Sequence, residues 1–150
     1  MRILDRTLSL PEAELVAGWE YPPPHSLYDS GPAHAFMGPE YRPVYDDELV
    51  GFVCFGAEAR VKGQREAAGT LDVGVGLRPD RVGQRVGTTL MPLLVEYVRM
   101  RYAPRALRVA VAAFNERSLA LCRAAGFVEL RRFKGPQDRE FVELALQLPD

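Results

Sequence analysis

A short segment between a predicted strand and a predicted helix has the residue types of an anion-binding site. Residues 77–90 read LRPDRVGQRVGTTL and contain Gly83 and Gly87. A strand that breaks into a glycine-bearing turn and then a helix leaves backbone N–H groups without partners, and the positive end of the helix dipole points the same way. Such a turn binds phosphate or pyrophosphate. A plain helix start, with glycine serving only the turn, is the alternative.

The segment matches neither of two common nucleotide-binding motifs. No Gly-Lys-Ser/Thr follows the turn, so the phosphate loop of nucleoside triphosphatases is absent. Gly74 and Gly76 would begin the dinucleotide pattern G-x-G-x-x-G, but position 79 is Pro79.

The strand before this loop carries a candidate catalytic carboxylate. Residues 70–77 read TLDVGVGL, and their alternation places Asp72, Gly74 and Gly76 on one face. Glycines in register leave bare backbone there, which indicates close approach of a ligand or of another backbone; a bulge or a closely packed helix is the alternative. Asp72 is the candidate general base, and a carboxylate paired with an arginine or facing water is the competing interpretation.

The other predicted elements position these residues. Hydrophobic periodicity, caps and turn residues predict the order β, α, β, β, β, α, β, α, β, β, a mixed sheet with helices packed on it. The predicted ranges are a strand at 2–8, a helix from the cap Ser9 to Gly18, strands at 42–45, 48–55 and 70–77, a helix to about Tyr102, a strand at 107–114, a helix at 116–125, and strands at 127–133 and 140–148.

A proline- and aromatic-rich segment, residues 19–45, cannot form a regular helix. It predicts a loop that covers the edge of the core or, for some residues, a wall of a substrate pocket. Tyr28 and His25 are its candidate pocket residues. His25 and His34 are reserve bases, although a histidine in such a segment is more often a surface or hydrogen-bonded residue.

Composition excludes several classes of protein. The 150 residues are 47% hydrophobic with a formal net charge of −1, which fits one globular domain and argues against a nucleic-acid partner. No apolar run approaches the roughly 20 residues of a membrane span, and no secretory leader is evident. Cys54 and Cys122 are the only cysteines, so we expect a reduced, cytoplasmic protein without a metal site.

Two segments together resemble the GNAT superfamily of acetyl-CoA-dependent N-acetyltransferases. The run Val82-Gly83-Gln84-Arg85-Val86-Gly87 is similar to the family's pyrophosphate loop, Q/R-x-x-G-x-G/A. The run from Asn115 to Phe127 is similar to its Asn-led helix that ends in Gly-Phe. The resemblance implies an α/β fold of the α+β type in one N-acetyltransferase domain, residues 1–150. Its mixed, mostly antiparallel sheet would have about seven strands, with helices on both faces.

The resemblance also implies the cofactor and its contacts. Acetyl-CoA would donate the acetyl group, and backbone around Leu77 would pair with the pantetheine arm. The strands at 70–77 and 107–114 would splay apart to admit the acyl group, and Asn115 and Ser118 would touch the arm, although both also suit a helix cap. The amides expected to hold the pyrophosphate are those of Val82, Gly83, Gln84, Arg85, Val86, Gly87 and Thr88.

Three positions depart from the family pattern. Val82 stands at the Q/R position, and Arg85 stands at the middle glycine, where its side chain either points away or meets a phosphate. Cys122 stands where many members carry the Tyr that protonates the departing thiolate. A thiol with a reference pKa of about 8.5 could donate that proton. A small buried cysteine that fills space is the alternative.

The predicted function is direct transfer of an acetyl group from acetyl-CoA to a primary amine. A sensor or interaction module that binds acetyl-CoA without turnover is the alternative, and an α/β scaffold without a cofactor would need both motifs to be coincidental. The acceptor stays open between peptide amino termini, polyamines, amino sugars and amino acids. A homodimer through the last strand is also open.

Overall fold

The computed structural model describes residues 1–28 and 31–149, without the side chains of residues 27 and 28. The three α-helices of this part are α1 (Leu10–Ala17), α2 (Val86–Arg101) and α3 (Glu116–Ala124). The strands are β1 (Arg2–Ile3), β2 (Tyr41–Asp46), β3 (Glu48–Phe55), β4 (Thr70–Leu77), β5 (Ala106–Ala112), β6 (Val128–Lys134) and β7 (Glu140–Gln147). No helix among the described residues is long and apolar enough to cross a membrane.

The strands form one mixed sheet in the order β1-β2-β3-β4-β5-β7-β6. β4 and β5 are parallel, whereas the β1–β2, β2–β3, β5–β7 and β6–β7 pairs are antiparallel. The predicted mixed, mostly antiparallel sheet of seven strands is therefore confirmed.

Residue contacts divide the chain into two compact units. The first comprises Met1–Cys54 and Val75–Leu94, and the second comprises Phe55–Gly74 and Val95–Asp150. The first unit buries aliphatic side chains such as Val16, Val44, Val50 and Leu90. The second buries Phe55, Val98, Leu107, Val142 and Leu144.

The first helix starts and stops as its sequence predicts. The Ser9 side chain accepts the N–H of Glu12, and the Glu12 carboxylate accepts the N–H of Ser9, which completes a capping box. Gly18 is the C-cap. The strand before it is shorter than predicted: β1 ends at Ile3, because Arg6 N–H turns back to the Leu4 carbonyl at 2.9 Å.

The expected separation of two central strands is present within the second unit. The parallel register pairs Thr70 with Ala106, Leu71 with Leu107 and Asp72 with Arg108, and it ends there. β5 continues for four further residues to Ala112, and its other side stays paired with β7 along its length. The pairing of β4 with β5 is thus confined to the first three residues of each strand.

The last strand has no free edge for the homodimer that was left open, and a homodimer through another surface stays a prediction. β7 lies between β5 and β6, so it has neighbours on both sides and no free edge. The edge of this unit is β6, and a register shift between Glu129 and Arg131 interrupts its pairing. An irregular edge strand is a poor template for another strand.

Candidate functional site

The predicted anion loop leaves β4 at Leu77 and enters α2 at Val86. Residues 79–81 make one 3-10 turn, which the N–H of Arg81 closes on the Arg78 carbonyl at 2.9 Å. Gly83 and Arg85 both adopt left-handed backbone, with φ of 84° and 64°. Arg85 directly precedes Val86, the first right-handed residue of α2, and such a pair turns successive N–H groups toward one side, the geometry of an anion nest.

The start of α2 offers hydrogen-bond donors that nothing in the described chain occupies. At the start of α2, the first backbone N–H with a carbonyl partner is that of Thr89, which donates to the Arg85 carbonyl at 3.1 Å. The N–H groups of Val86, Gly87 and Thr88 therefore have no partner in the part of the chain that the structure describes. Three free donors at the positive end of a 16-residue helix suit a phosphate group.

Two arginines tie the base of the loop to the β2–β3 hairpin. Arg78 bonds Glu48 at 2.6 Å and Asp80 at 2.6 Å, and Arg81 lies 3.8 Å from Asp46 and 3.5 Å from Glu48. The Arg78 guanidinium lowers the pKa of both Glu48 and Asp80. These hairpin carboxylates therefore face the loop's own arginines, which argues against their use in recognising a cationic acceptor.

Arg85 differs from these two arginines. Its side chain is exposed, and it has no carboxylate partner among the described residues. Its backbone is left-handed, the conformation that glycine adopts without steric cost. The guanidinium is thereby available to a phosphate next to the free amides.

The peptide unit between Leu77 and Arg78 is held from both sides. The N–H of Arg78 donates to the Val50 carbonyl of β3 at 2.8 Å. The hydroxyl of Tyr21 donates to the Leu77 carbonyl at 2.5 Å. Sequence reasoning chose Tyr28 and His25 from the aromatic segment and missed Tyr21, because nothing local to Tyr21 indicates a partner 56 positions away.

Gly76, on the bare face of β4, has a different explanation from the predicted one. A Cβ on Gly76 would overlap the ring of Phe52, which belongs to β3. Trp19 stacks on the same Phe52 ring at 6.5 Å between centroids, and Phe36 and Tyr41 pack around it at 5.5 and 5.6 Å. Gly76 is thus required by an aromatic cluster, and the interpretation of this glycine as a ligand approach is wrong.

Asp72 occupies an ion pair rather than an open position. It is 2% exposed and accepts hydrogen bonds from Arg108 at 2.6 and 2.9 Å and from Arg60 at 3.0 Å. The bond to Asp72 raises the pKa of Arg108. A base needs a free lone pair within reach of the substrate. The geometry therefore corrects the prediction: Asp72 is the arginine-paired carboxylate of the competing interpretation.

The ion pair is part of a larger buried group in the second unit. Arg108 lies 3.6 Å from Glu143, and Glu143 also accepts from Gln64 at 3.0 Å and Arg131 at 3.2 Å. Asp72 and Arg108 occupy the last paired position between β4 and β5. The group therefore lies at the point where the pairing of these strands ends.

Asn115 and Ser118 lie at the start of α3, in the second unit. The Asn115 side chain caps the helix by accepting the N–H of Ser118 at 3.3 Å. Both side chains are half-buried. The capping role expected from the sequence is therefore present, and a contact with a cofactor stays a prediction.

Cys122 lies on α3 and is 5% exposed. Burial raises the pKa of its thiol to about 11. An alkyl thiolate leaving group has a reference pKa of about 8.5 when protonated, so proton transfer from Cys122 would run uphill. The structure thus argues against Cys122 as the acid and places it as a buried residue that fills space.

The remaining candidates are the pocket residues. The side chain of Tyr28 lies outside the described part of the structure. His25 begins a 3-10 turn, is half-buried, and donates its backbone N–H to the Pro22 carbonyl at 2.8 Å. His34 is exposed in a second 3-10 turn at Ala33–Phe36. Their role in a substrate pocket stays a prediction.

A family model and several solved structures match the chain. The model described as "Acetyltransferase (GNAT) family" matches residues 4–127. An acetyltransferase of the GNAT family from Bacillus anthracis is 14% identical, with a TM-score of 0.72, over 98% of this chain and 95% of that one. A spermidine N-acetyltransferase SpeG chimera from Vibrio cholerae and hSSAT is 14% identical, with a TM-score of 0.74, over 98% and 96%.

A third structure carries a bound ligand. The N-acetyltransferase PseH from Campylobacter jejuni, in complex with acetyl coenzyme A, is 21% identical, with a TM-score of 0.56, over 73% of this chain and 67% of that one. A search of curated proteins found no match. At these identities the solved structures establish the fold, and the family model establishes the kinship.

Proposed function

Because the chain belongs to the acetyltransferase (GNAT) family, we propose that it transfers an acetyl group directly from acetyl-CoA to a primary amine. The observation that supports this proposal most directly lies at the start of α2. There the backbone N–H groups of Val86, Gly87 and Thr88 have no partner among the described residues. A pyrophosphate would satisfy them and gain from the helix dipole. The residues proposed to hold the cofactor are Leu77, Val82, Gly83, Gln84, Arg85, Val86, Gly87, Thr88, Asn115 and Ser118.

The exposure of β4 supports the same proposal. Val75 is 45% exposed, although β4 has β3 and β5 as neighbours in the sheet. β4 pairs in parallel with β5, and the faces of parallel strands are usually covered. The pantetheine arm, lying along this part of β4, would supply the cover.

The chain's own residues would bind and orient rather than exchange protons. Bound acetyl-CoA supplies an activated thioester, whose C–S bond breaks as the amine nitrogen forms the new bond to carbon. The loop holds the phosphates, and Arg85 offsets their charge. Since Asp72 and Cys122 are both buried and unsuited to proton exchange, we propose that water takes the proton from the amine.

The acceptor is proposed only as a class. One structural neighbour is named a spermidine N-acetyltransferase and another a ribosomal-protein-alanine N-acetyltransferase. Polyamines and peptide amino termini are therefore the first acceptors to test, with amino sugars and amino acids next. The family model includes residues of both compact units, which supports one N-acetyltransferase domain in residues 1–150.

One observation favours a second candidate function. Both proton-transfer residues expected from the sequence are engaged or buried, so the chain could bind acetyl-CoA without turning it over. Such a sensor would show saturable binding and no acetylated product. Direct transfer to an uncharged amine does not require an enzyme base, and for this reason we prefer the enzyme.

The test measures binding and turnover separately. Calorimetry with acetyl-CoA, using NAD and ATP as controls, should show one specific site. Release of free thiol from acetyl-CoA should then depend on an amine from a panel of polyamines, peptides, amino sugars and amino acids. Specific binding with no thiol release across the panel would support the sensor, and absence of binding at millimolar acetyl-CoA would overturn both functions.

A further inference from the structure

Hydrogen bonds on both sides orient the peptide unit that joins Leu77 to Arg78 at the end of β4. In a peptide unit the C=O and N–H groups point in opposite directions. The N–H of Arg78 points to Val50 on β3, so the Leu77 carbonyl points away from β3. This is the side on which an added strand would bond to the end of β4.

Tyr21 occupies that position. Its hydroxyl donates to the Leu77 carbonyl at 2.5 Å, and a phenolic oxygen can accept as well as donate. The hydroxyl therefore stands where the next partner of the strand would be, and it presents an acceptor oxygen in place of the carbonyl.

The segment that carries Tyr21 is anchored next to it. Trp19 is 9% exposed and stacks on Phe52, whose ring fills the space above Gly76. The Tyr21 side chain is half-buried, so part of it still faces solvent. Trp19, two residues before Tyr21, is thus anchored in an aromatic cluster that packs against Gly76 of β4.

We propose that Tyr21 is a cofactor-specificity residue, whose hydroxyl accepts an amide N–H of the pantetheine arm while it holds the Leu77 carbonyl. This rests on the proposed function, because it needs the arm to lie along β4. The arm carries two secondary amides, which are the donors such an oxygen recognises. The free amides at the start of α2 serve the phosphates and make no use of Tyr21.

Two ligands separate these contributions. Acetyl-CoA carries the pantetheine arm, whereas 3′-phosphoadenosine 5′-diphosphate carries the pyrophosphate without it. Tyr21→Phe keeps the ring and removes only the hydroxyl. The matched control is Tyr45→Phe, which removes a hydroxyl that bonds Glu12 at 2.6 Å in the same compact unit.

Calorimetry should show that Tyr21→Phe raises the Kd of acetyl-CoA about tenfold, equivalent to about 1.4 kcal/mol, and leaves the Kd of 3′-phosphoadenosine 5′-diphosphate unchanged. Tyr45→Phe should leave both Kd values unchanged. An unchanged Kd for acetyl-CoA in Tyr21→Phe would overturn the assignment, and so would equal weakening of both ligands. A wild-type protein that binds neither ligand would overturn the proposed function first.

A second measurement needs no variant. Trp19 is the only tryptophan of the chain, so its fluorescence reports on the segment that carries Tyr21. In the wild-type protein, acetyl-CoA should change the Trp19 emission and 3′-phosphoadenosine 5′-diphosphate should leave it nearly unchanged. Equal responses to the two ligands would contradict a contact specific to the arm.

Discussion

At Arg85 the backbone conformation favours glycine, whereas the proposed contact with a phosphate favours arginine. Its φ of 64° is a left-handed conformation, which costs a residue with a Cβ about 1–2 kcal/mol. Glycine would remove that strain. We infer that the charge of arginine offsets this cost when an anion is bound, because Arg85 directly precedes the free amides of Val86, Gly87 and Thr88.

We predict that Arg85→Gly raises the free energy of unfolding by about 1 kcal/mol and weakens acetyl-CoA binding. Arg85→Gln should weaken binding to a similar extent without the gain in stability, because it removes the charge and keeps the strain. Thermal unfolding and calorimetry at low and high salt would measure both effects. Binding of Arg85→Gln as tight as that of the wild type would show that the guanidinium meets no phosphate.

At single positions, the sequence identifies the type of side chain but not the distant residues that surround it in the fold. The sequence shows that Asp72 is a carboxylate beside glycines, and it cannot show that Arg108, 36 positions later, bonds it. Gly76 likewise owes its small size to Phe52, a residue of another strand. Roles that depend on distant partners were therefore the ones that sequence reasoning assigned wrongly.

At the scale of elements, α1 is held by a carboxylate with a shifted pKa. The bond from the Arg6 guanidinium lowers the pKa of Glu12 from 4.5 to about 2, against the effect of burial, and Tyr45 adds a hydrogen bond at 2.6 Å. Since the folded pKa lies below the unfolded one, the stabilisation is fully present above pH 4.5. It is lost as the pH falls toward about 2.

We predict that wild-type stability falls by about 3 kcal/mol from this group over that pH range. Glu12→Gln should be less stable than the wild type at pH 7, and the difference should shrink as the pH approaches 2. Glu14→Gln, an exposed change on the same helix, is the control and should follow the wild-type curve. Chemical unfolding between pH 2 and pH 7 measures the difference; a constant gap across this range would contradict the assignment.

The ion pair between β4 and β5 predicts a structural rather than a catalytic defect. Removing one charge of a buried pair costs about 3–5 kcal/mol, because the remaining charge loses its partner. Arg108 also lies 3.6 Å from Glu143, which places the expected loss at the lower end. We therefore predict that Asp72→Asn lowers the unfolding free energy by about 3 kcal/mol.

The folded fraction of Asp72→Asn should keep the pH dependence of the wild-type turnover. Arg60→Gln removes the 3.0 Å bond to Asp72 and a 3.9 Å contact with the exposed Glu66, and it leaves the Arg108 bonds in place. It should therefore give a smaller loss of stability and the same turnover. Denaturant unfolding combined with a pH–rate profile at low temperature would test both. A profile that loses a limb in Asp72→Asn while stability is unchanged would restore Asp72 as the base.

For the molecule as a whole, the order of elements and the glycine-bearing loop could be predicted from the sequence. The side-chain contacts between distant residues could not. Caps and periodicity are local, so α1, with its capping box, and the glycine-bearing loop before α2 were found within a residue or two. The Arg78–Glu48 pair and the Tyr21–Leu77 bond join residues 30 and 56 positions apart. No local signal encodes such contacts, so the site could be located but not completed.

The absence of an evident base among the predicted residues has a consequence for the whole reaction. If no enzyme group removes the proton before attack, the rate at low acceptor concentration depends on the fraction of amine that is uncharged. We predict that kcat/KM rises with pH up to the pKa of the acceptor amine itself. An acceptor of similar shape with a lower amine pKa should shift the profile to lower pH by the difference between the two amine pKa values. Cys122→Ala should leave it in place, since a thiol with a pKa of about 11 contributes no limb below that pH. A limb that stays fixed when the amine is exchanged would instead identify an enzyme base, and His25 and His34 would be the first residues to replace.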